Sequence, residues 1–161
     1  MTYHIRRKDK EITEETVLKK ILKSTKYVTI AMSMDNQPYL VSLSHGYDED
    51  RNCIYFHCAS EGKKLDFLKA NNNVWGQALL DYGYLQGACD HNFASVHFSG
   101  KVVIITNHNE KLHAVQVMMR QLDKFADHLV ARLDQEKLKT TVVGRIDIDF
   151  MTGKKSKELT I

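Results

Sequence analysis

Between residues 27 and 58 the chain holds three strand-like runs, interrupted only by short polar turns. Val28, Ile30, Met32 and Met34 stand against Tyr27, Thr29, Ala31 and Ser33. Successive side chains of a strand point to opposite faces, so this period of two predicts a half-buried strand. A turn at Asp35, Asn36 and Gln37 follows. Pro38 comes at the first position of the next strand, where its missing N–H does little harm. Tyr39, Val41, Leu43, His45 and Tyr47 then face one way, and Leu40, Ser42, Ser44 and Gly46 the other. A second turn over residues 48–52 leads into a third strand over 53–58. Three strands joined by short turns form a meander, which requires antiparallel pairing.

The rest of the chain is read in the same way. Residues 1–11 are polar and predict an arm. A helix is expected over residues 14–24, with Thr13 as N-cap, Ile12 and Val17 as a staple, and Val17, Leu18, Ile21 and Leu22 as its apolar stripe. A short helix with Leu65, Phe67 and Leu68 follows the third strand. It ends at Asn71, Asn72 and Asn73, a residue type that accepts left-handed geometry. Residues 74–80 read as a strand, 81–92 as a long loop or broken hairpin, and 93–105 as a long strand with a bulge or bend at Gly100. Asn107 and Glu110 have the spacing of a capping box, opening a helix to about Phe125 with Leu112, Val115, Met119 and Leu122 as its stripe. A second helical piece carries Leu129, Val130, Leu133 and Leu138. A last strand is expected over 141–150, and Thr152, Gly153, Lys154 and Lys155 as a basic turn. Six strands without βαβ alternation predict a mainly β fold with peripheral helices: a six-stranded antiparallel barrel in a single domain spanning 1–161.

Composition limits the function classes. The 161 residues are 43% hydrophobic and 27% charged, the balance of a folded globular chain. No apolar run is long enough to span a membrane. The net charge of +3 comes from lysines interspersed with acids, which does not suggest a nucleic-acid partner. Three cysteines, Cys53, Cys58 and Cys89, with no export signal, fit free thiols in a reducing compartment and a cytoplasmic location.

The stretch YFHCASEGKKLDFLKANNN is the first candidate site. A strand breaks over Cys58, Ala59, Ser60, Glu61 and Gly62 and reforms as a helix, with Lys63 and Lys64 at the turn. The unpaired amides of a first helical turn, the helix dipole and two ammonium groups together suit a phosphate. His57, Cys58, Cys89 and His91 lack the spacing of a metal site, and none is expected. His57 cannot activate Cys58, because neighbouring strand residues face opposite ways; a Cys58–His91 pair would require the 81–92 segment to fold back. His45 and His57 are candidate haem ligands.

Four stretches, PYLVSLSHGYD, IYFHCASEGKKLDFLKANNNV, FASVHFSGKV and IDIDFMTGKKS, resemble the flavin-binding split-barrel superfamily that includes pyridoxamine 5′-phosphate oxidase. The similarity is greatest to its nitroimidazole-resistance branch and covers roughly residues 5 to 158. The resemblance implies FMN bound at the interface of a homodimer of six-stranded split barrels. It implies Lys63 and Lys64 at the phosphate with Ser60 and Gly62 in the same turn, and Val41, Ser42, Leu43 and Ser44 along the isoalloxazine ring. His57 and Cys58 would stand beside the ribityl chain and ring, and Ser95 and Val96 would reach the flavin from the partner subunit. Such a protein is an FMN-dependent oxidoreductase acting on nitro or other small electron-poor substrates, with NADH or NADPH as donor. The alternatives are a haem- or flavin-binding protein without turnover, or a deazaflavin-using member. Ala94 stands where the family often has arginine, removing a cation from the cofactor or substrate surroundings. The ending TGKKSKELTI lacks the Arg- and Trp-bearing motif of true pyridoxamine phosphate oxidases, which argues against pyridoxal phosphate synthesis.

Overall fold

The computed structural model describes residues 5–161; residues 1–4 of the expected arm lie outside the described range. The remainder of the arm is docked. A short 3-10 turn, Lys8–Lys10, leads into β1 (Glu11–Ile12), which pairs with the C-terminal strand through Glu11↔Lys154 and Ile12↔Gly153. There follow α1 (Glu15–Ser24), β2 (Tyr27–Met34), β3 (Gln37–Asp48), β4 (Cys53–Cys58), α2 (Lys63–Ala70), β5 (Asn73–Leu85), β6 (Asp90–Ile104), α3 (His108–Leu122), α4 (Ala126–Ala131), α5 (Gln135–Thr140) and β7 (Val142–Lys155). The strand order is β1-β7-β4-β3-β2-β5-β6, and β6 also pairs with β7. Six strands therefore close into a ring, all neighbours antiparallel.

The alternation fixes which side chains fill this ring. Val28, Ile30 and Met32 of β2, Leu43 of β3, Ile54 and Phe56 of β4, Val96 and Phe98 of β6 and Ile146 of β7 form one interior cluster, closed at one end by Leu18, Ile21 and Leu22 of α1. Burying each of these larger side chains is worth about 2 kcal/mol. A smaller cluster, with Cys53, Tyr55, Ala114, Met118 and Val143, lies between the outside of β4 and α3. No helix among the described residues is long and apolar enough to cross a membrane.

Several local expectations change. The N-cap of α1 is Glu14 rather than Thr13, and it makes no side-chain cap bond. Gln37 already belongs to β3, because Asp35 (φ 50°) and Asn36 (φ 62°) complete a two-residue hairpin turn alone. Asn71 is extended (φ −150°) rather than left-handed; its side chain instead accepts the Asn73 amide at 3.1 Å. Of the two readings of the 81–92 segment, the structure has the broken hairpin, closed by a turn over residues 86–89. β5 and β6 continue through it as a paired ribbon, with a register shift between Asp81 and Tyr84. The bulge opposite Gly100 places its extra residue, Asp149, on β7. β7 runs on through the expected basic turn, because β1 and β6 pair with its polar end. Asn107 caps α3 through the Glu110 amide at 3.0 Å. The Glu110 carboxylate does not close the box, since it is paired with Arg145 and lies 3.7 Å from Arg51. α3 ends at Leu122, three residues before Phe125.

Candidate functional site

β3 and β4 separate at one end of the ring. They pair from Asp48↔Cys53 only as far as His45↔Phe56. Beyond that point β4 remains on β7, with His57↔Val143 and Cys58↔Val142, while β3 stays on β2 down to Gln37. The tight turn makes Met34↔Gln37 a hydrogen-bonded pair. By alternation Tyr39, Val41 and Leu43 bond to β2, and the N–H and C=O groups of Leu40, Ser42 and Ser44 point into the opening. A sheet edge with available donors and acceptors thus faces the gap that β4 leaves.

The turn after β4 closes one end of this gap. Gly62 caps α2 at φ 125° with nothing near the position of a Cβ, a backbone shape that glycine adopts without strain. The first amides of α2 to find intrahelical acceptors are those of Leu65 and Asp66, both on the Gly62 carbonyl, at 2.9 and 3.3 Å. Those of Lys63 and Lys64 lie upstream of them. Lys63 Nζ sits 4.7 Å from the Tyr39 ring centre and 5.5 Å from that of Phe67; Lys64 Nζ sits 5.7 Å from the Phe56 ring centre. Among the described residues neither ammonium forms an ion pair. Two uncommitted cations, a helix start and exposed Ser60 make a donor set suited to a phosphate.

Val41 and Leu43 point towards the interior, and Ser42 and Ser44 outward, where Ser42 Oγ lies 2.9 Å from Thr29 Oγ1. His57 and Cys58 do take opposite sides. Cys58 packs against the main cluster, where burial pushes its thiol up and Lys64 pulls against that shift. His57 is exposed on the outside, beside α3 and α5. Ser95 and Val96 lie on β6, three strands from β3 in either direction round the ring, so one chain does not bring them to the lysines. Val96 is fully enclosed in the core, so its side chain has no route to a ligand outside this barrel. Ser95 is on the outer face but buried. Ala94 is also enclosed in the core; at this position the chain has core, not a surface lacking a cation.

His45 is not available as a haem ligand. It is wholly buried, with Nε2–H donating to the Leu22 carbonyl at 3.0 Å and Nδ1 without a partner. Gln121 of α3 donates to the carbonyls of Thr25 (2.8 Å) and Leu22 (3.0 Å) and accepts the Tyr47 amide (2.8 Å). Nothing in the spacing around Gln121 announces this brace. Burial lowers the His45 pKa to about 4, despite its bonds to backbone carbonyls. An unfolded histidine protonates near 6.5, so below that pH the unfolded chain binds a proton that the native protein refuses. Stability is full above pH 6.5 and should fall by about 2 kcal/mol between pH 6.5 and 5 from this residue alone. Urea unfolding across that range should show the loss in the native protein and a flatter profile in His45→Gln; equal slopes would contradict it.

The Cys58–His91 pair does not form. His91 is on the projecting ribbon, with Nε2 2.7 Å from Asp81. Among the described residues no cluster of three or more His, Cys, Asp or Glu could hold a metal ion. A further feature was not foreseen. Val115, Met119 and Leu122 of the expected stripe line a pocket of about 380 Å³ with His57, Leu129, Leu133 and Leu138, and Val115 and Leu122 also pack against the cluster beneath α3.

The family model for pyridoxamine 5′-phosphate oxidase matches residues 14–155. No curated protein matches the sequence. Among solved structures, a Bacteroides thetaiotaomicron protein provisionally assigned to 5-nitroimidazole antibiotic resistance is 26% identical, with TM-score 0.76 over 89% of this chain and 85% of that one. The flavocytochrome Anf3 of Azotobacter vinelandii shares the fold at 18% identity, TM-score 0.79, over 96% and 73%. An FAD-binding protein of Mesorhizobium loti does so at 22% identity, TM-score 0.65, over 89% and 95%.

Proposed function

Since this chain belongs to the pyridoxamine 5′-phosphate oxidase family, we propose that it is a flavin-dependent oxidoreductase, holding FMN along the β3–β4 opening with its phosphate on Lys63 and Lys64. The observation that carries this reading is the pair of uncommitted ammonium groups at a helix start, next to a sheet edge whose Ser42 and Ser44 backbone groups lack a strand partner. A flavin needs both features: a cationic anchor for one end and backbone hydrogen bonds for the pyrimidine edge of the other. When bound, it would supply the two-electron chemistry, so no side-chain nucleophile is required. Flavin in the names of two structural neighbours, and nitroimidazole resistance in that of a third, favour a small electron-poor substrate such as a nitro compound. NADH or NADPH is the donor class to test first. An equilibrium titration should find one FMN per chain, held more tightly than riboflavin, which lacks the phosphate; equal affinity would remove the anchor from the account.

The same reading calls for a homodimer. Leu40, Ala31 and Trp75 stand in one cross-strand row on the outer face of β3, β2 and β5, and Tyr27 and Leu79 share that face. Leu40 is 64% exposed, Tyr27 59% and Trp75 46%, an apolar patch of the kind that two copies bury against each other. Ser42 and Ser44 lie at one side of this face and Ser95 at the other, so a twofold pairing would bring β6 of one copy towards β3 of its partner. Light scattering should give twice the chain mass, and Leu40→Glu with Trp75→Glu should halve it. A native monomer would refute the dimer.

A further inference from the structure

We infer that the pocket between α3, α5 and the end of β4 is a binding site for an uncharged aromatic compound of one or two rings bearing one oxygen acceptor. The inference extends the flavin reading by naming the second reactant's class, because His57 belongs to both places. Its backbone stands at the β3–β4 opening and its side chain on the pocket wall. The volume, about 380 Å³, suits a small molecule. A cavity of about 150 Å³ accepts benzene, so this one has room for a substituted ring or two fused rings. Val115, Met118, Met119, Leu122, Leu133 and Leu138 make most of the wall apolar, which penalises a charged or phosphorylated guest through unreplaced hydration.

The polar groups at the rim determine how such a guest would be oriented. Asp123 accepts the Phe125 amide and Asp134 the amides of Glu136 and Lys137, while Thr141 donates to the Lys137 carbonyl. These bonds fix the side chains on the helix turns through one oxygen each, and the second carboxylate oxygens of Asp123 and Asp134 can only accept, so they offer nothing to a guest's oxygen. The two remaining polar side chains, His57 and Lys137, have no recorded hydrogen-bond partner among the described residues, and both can donate. An apolar wall with donors at the rim selects a ring with a carbonyl-type oxygen at one end.

Acetophenone and α-methylstyrene test this, because they differ in replacing the carbonyl oxygen by a methylene. Binding would be followed by protein NMR shifts with and without FMN, and FMN affinity measured on the same samples. Acetophenone should bind saturably and about fivefold tighter than α-methylstyrene. Val115→Phe should weaken both by about tenfold or more; if that variant does not fold, Leu133→Trp at the rim serves instead. His57→Ala with Lys137→Ala should abolish the preference and retain the hydrocarbon. No saturable binding, filling substitutions without effect, or a preference that survives loss of both donors would overturn the site. Acetophenone binding without FMN binding would support the pocket and refute the flavin reading.

Discussion

Replacing Lys63 and Lys64 together with alanine should weaken FMN binding by about 4 kcal/mol, roughly a thousandfold, since each ammonium would contribute a charge-assisted hydrogen bond to the phosphate. The fold should be nearly unaffected. Lys63 is exposed and Lys64 half-buried, and each loses only contact with the faces of Tyr39, Phe67 or Phe56, about 1 kcal/mol or less apiece. Riboflavin is the control. With no phosphate, it should bind the native and doubly substituted proteins with similar affinity. A double variant that keeps native FMN affinity would dissociate the turn from the cofactor; one that loses riboflavin equally would show damage to the ring slot instead.

The second large effect is structural. A Cβ placed on Gly46 would lie 2.7 Å from both Cα and N of Met118, so the backbone of α3 rests directly on β3. Backbone cannot swing aside as a side-chain tip can. Gly46→Val should therefore destabilise the protein by about 3 kcal/mol. It should also displace α3 and the bonds that Gln121 makes to the end of α1. Urea unfolding measures the first effect, and loss of the acetophenone site would report the second. A stability change below about 1 kcal/mol would mean that the helix can shift without penalty.

These two positions illustrate what the sequence could and could not disclose. The barrel was legible because β2 buries one face and alternates accordingly, and because short polar turns separate it from the apolar runs of β3 and β4. Gly62 before two lysines and an apolar run was legible as a helix start, because local backbone physics suffices to suggest it. The open edge at Ser42 and Ser44 was not legible from residue patterns alone. It exists because β4 follows β7 after Phe56, a choice of partner that no period records. The 81–92 segment left loop and broken hairpin open for a related reason. Gly83 has the positive φ of a turn but sits in a register shift inside a continuing ribbon, so its turn chemistry is real and its meaning is different. In α3 the residues that bury fully, Ala114 and Met118, are not those of the expected stripe. The close approach at Gly46 puts Ala114 and Met118 on the barrel side; Val115 and Leu122 pack at the edge of that contact, and with Met118 and Met119 they also line the pocket.

We propose above all that the β3–β4 opening and the Lys63–Lys64 turn hold a flavin and its phosphate. The most direct test is the visible absorption spectrum of the protein as purified and after loading with FMN, with the released cofactor identified by mass. The protein should be yellow, or become yellow with FMN, holding one FMN per chain, and should lose that retention in the Lys63→Ala, Lys64→Ala variant. A colourless protein that takes up no FMN, or one that retains flavin equally well without the two lysines, would contradict it.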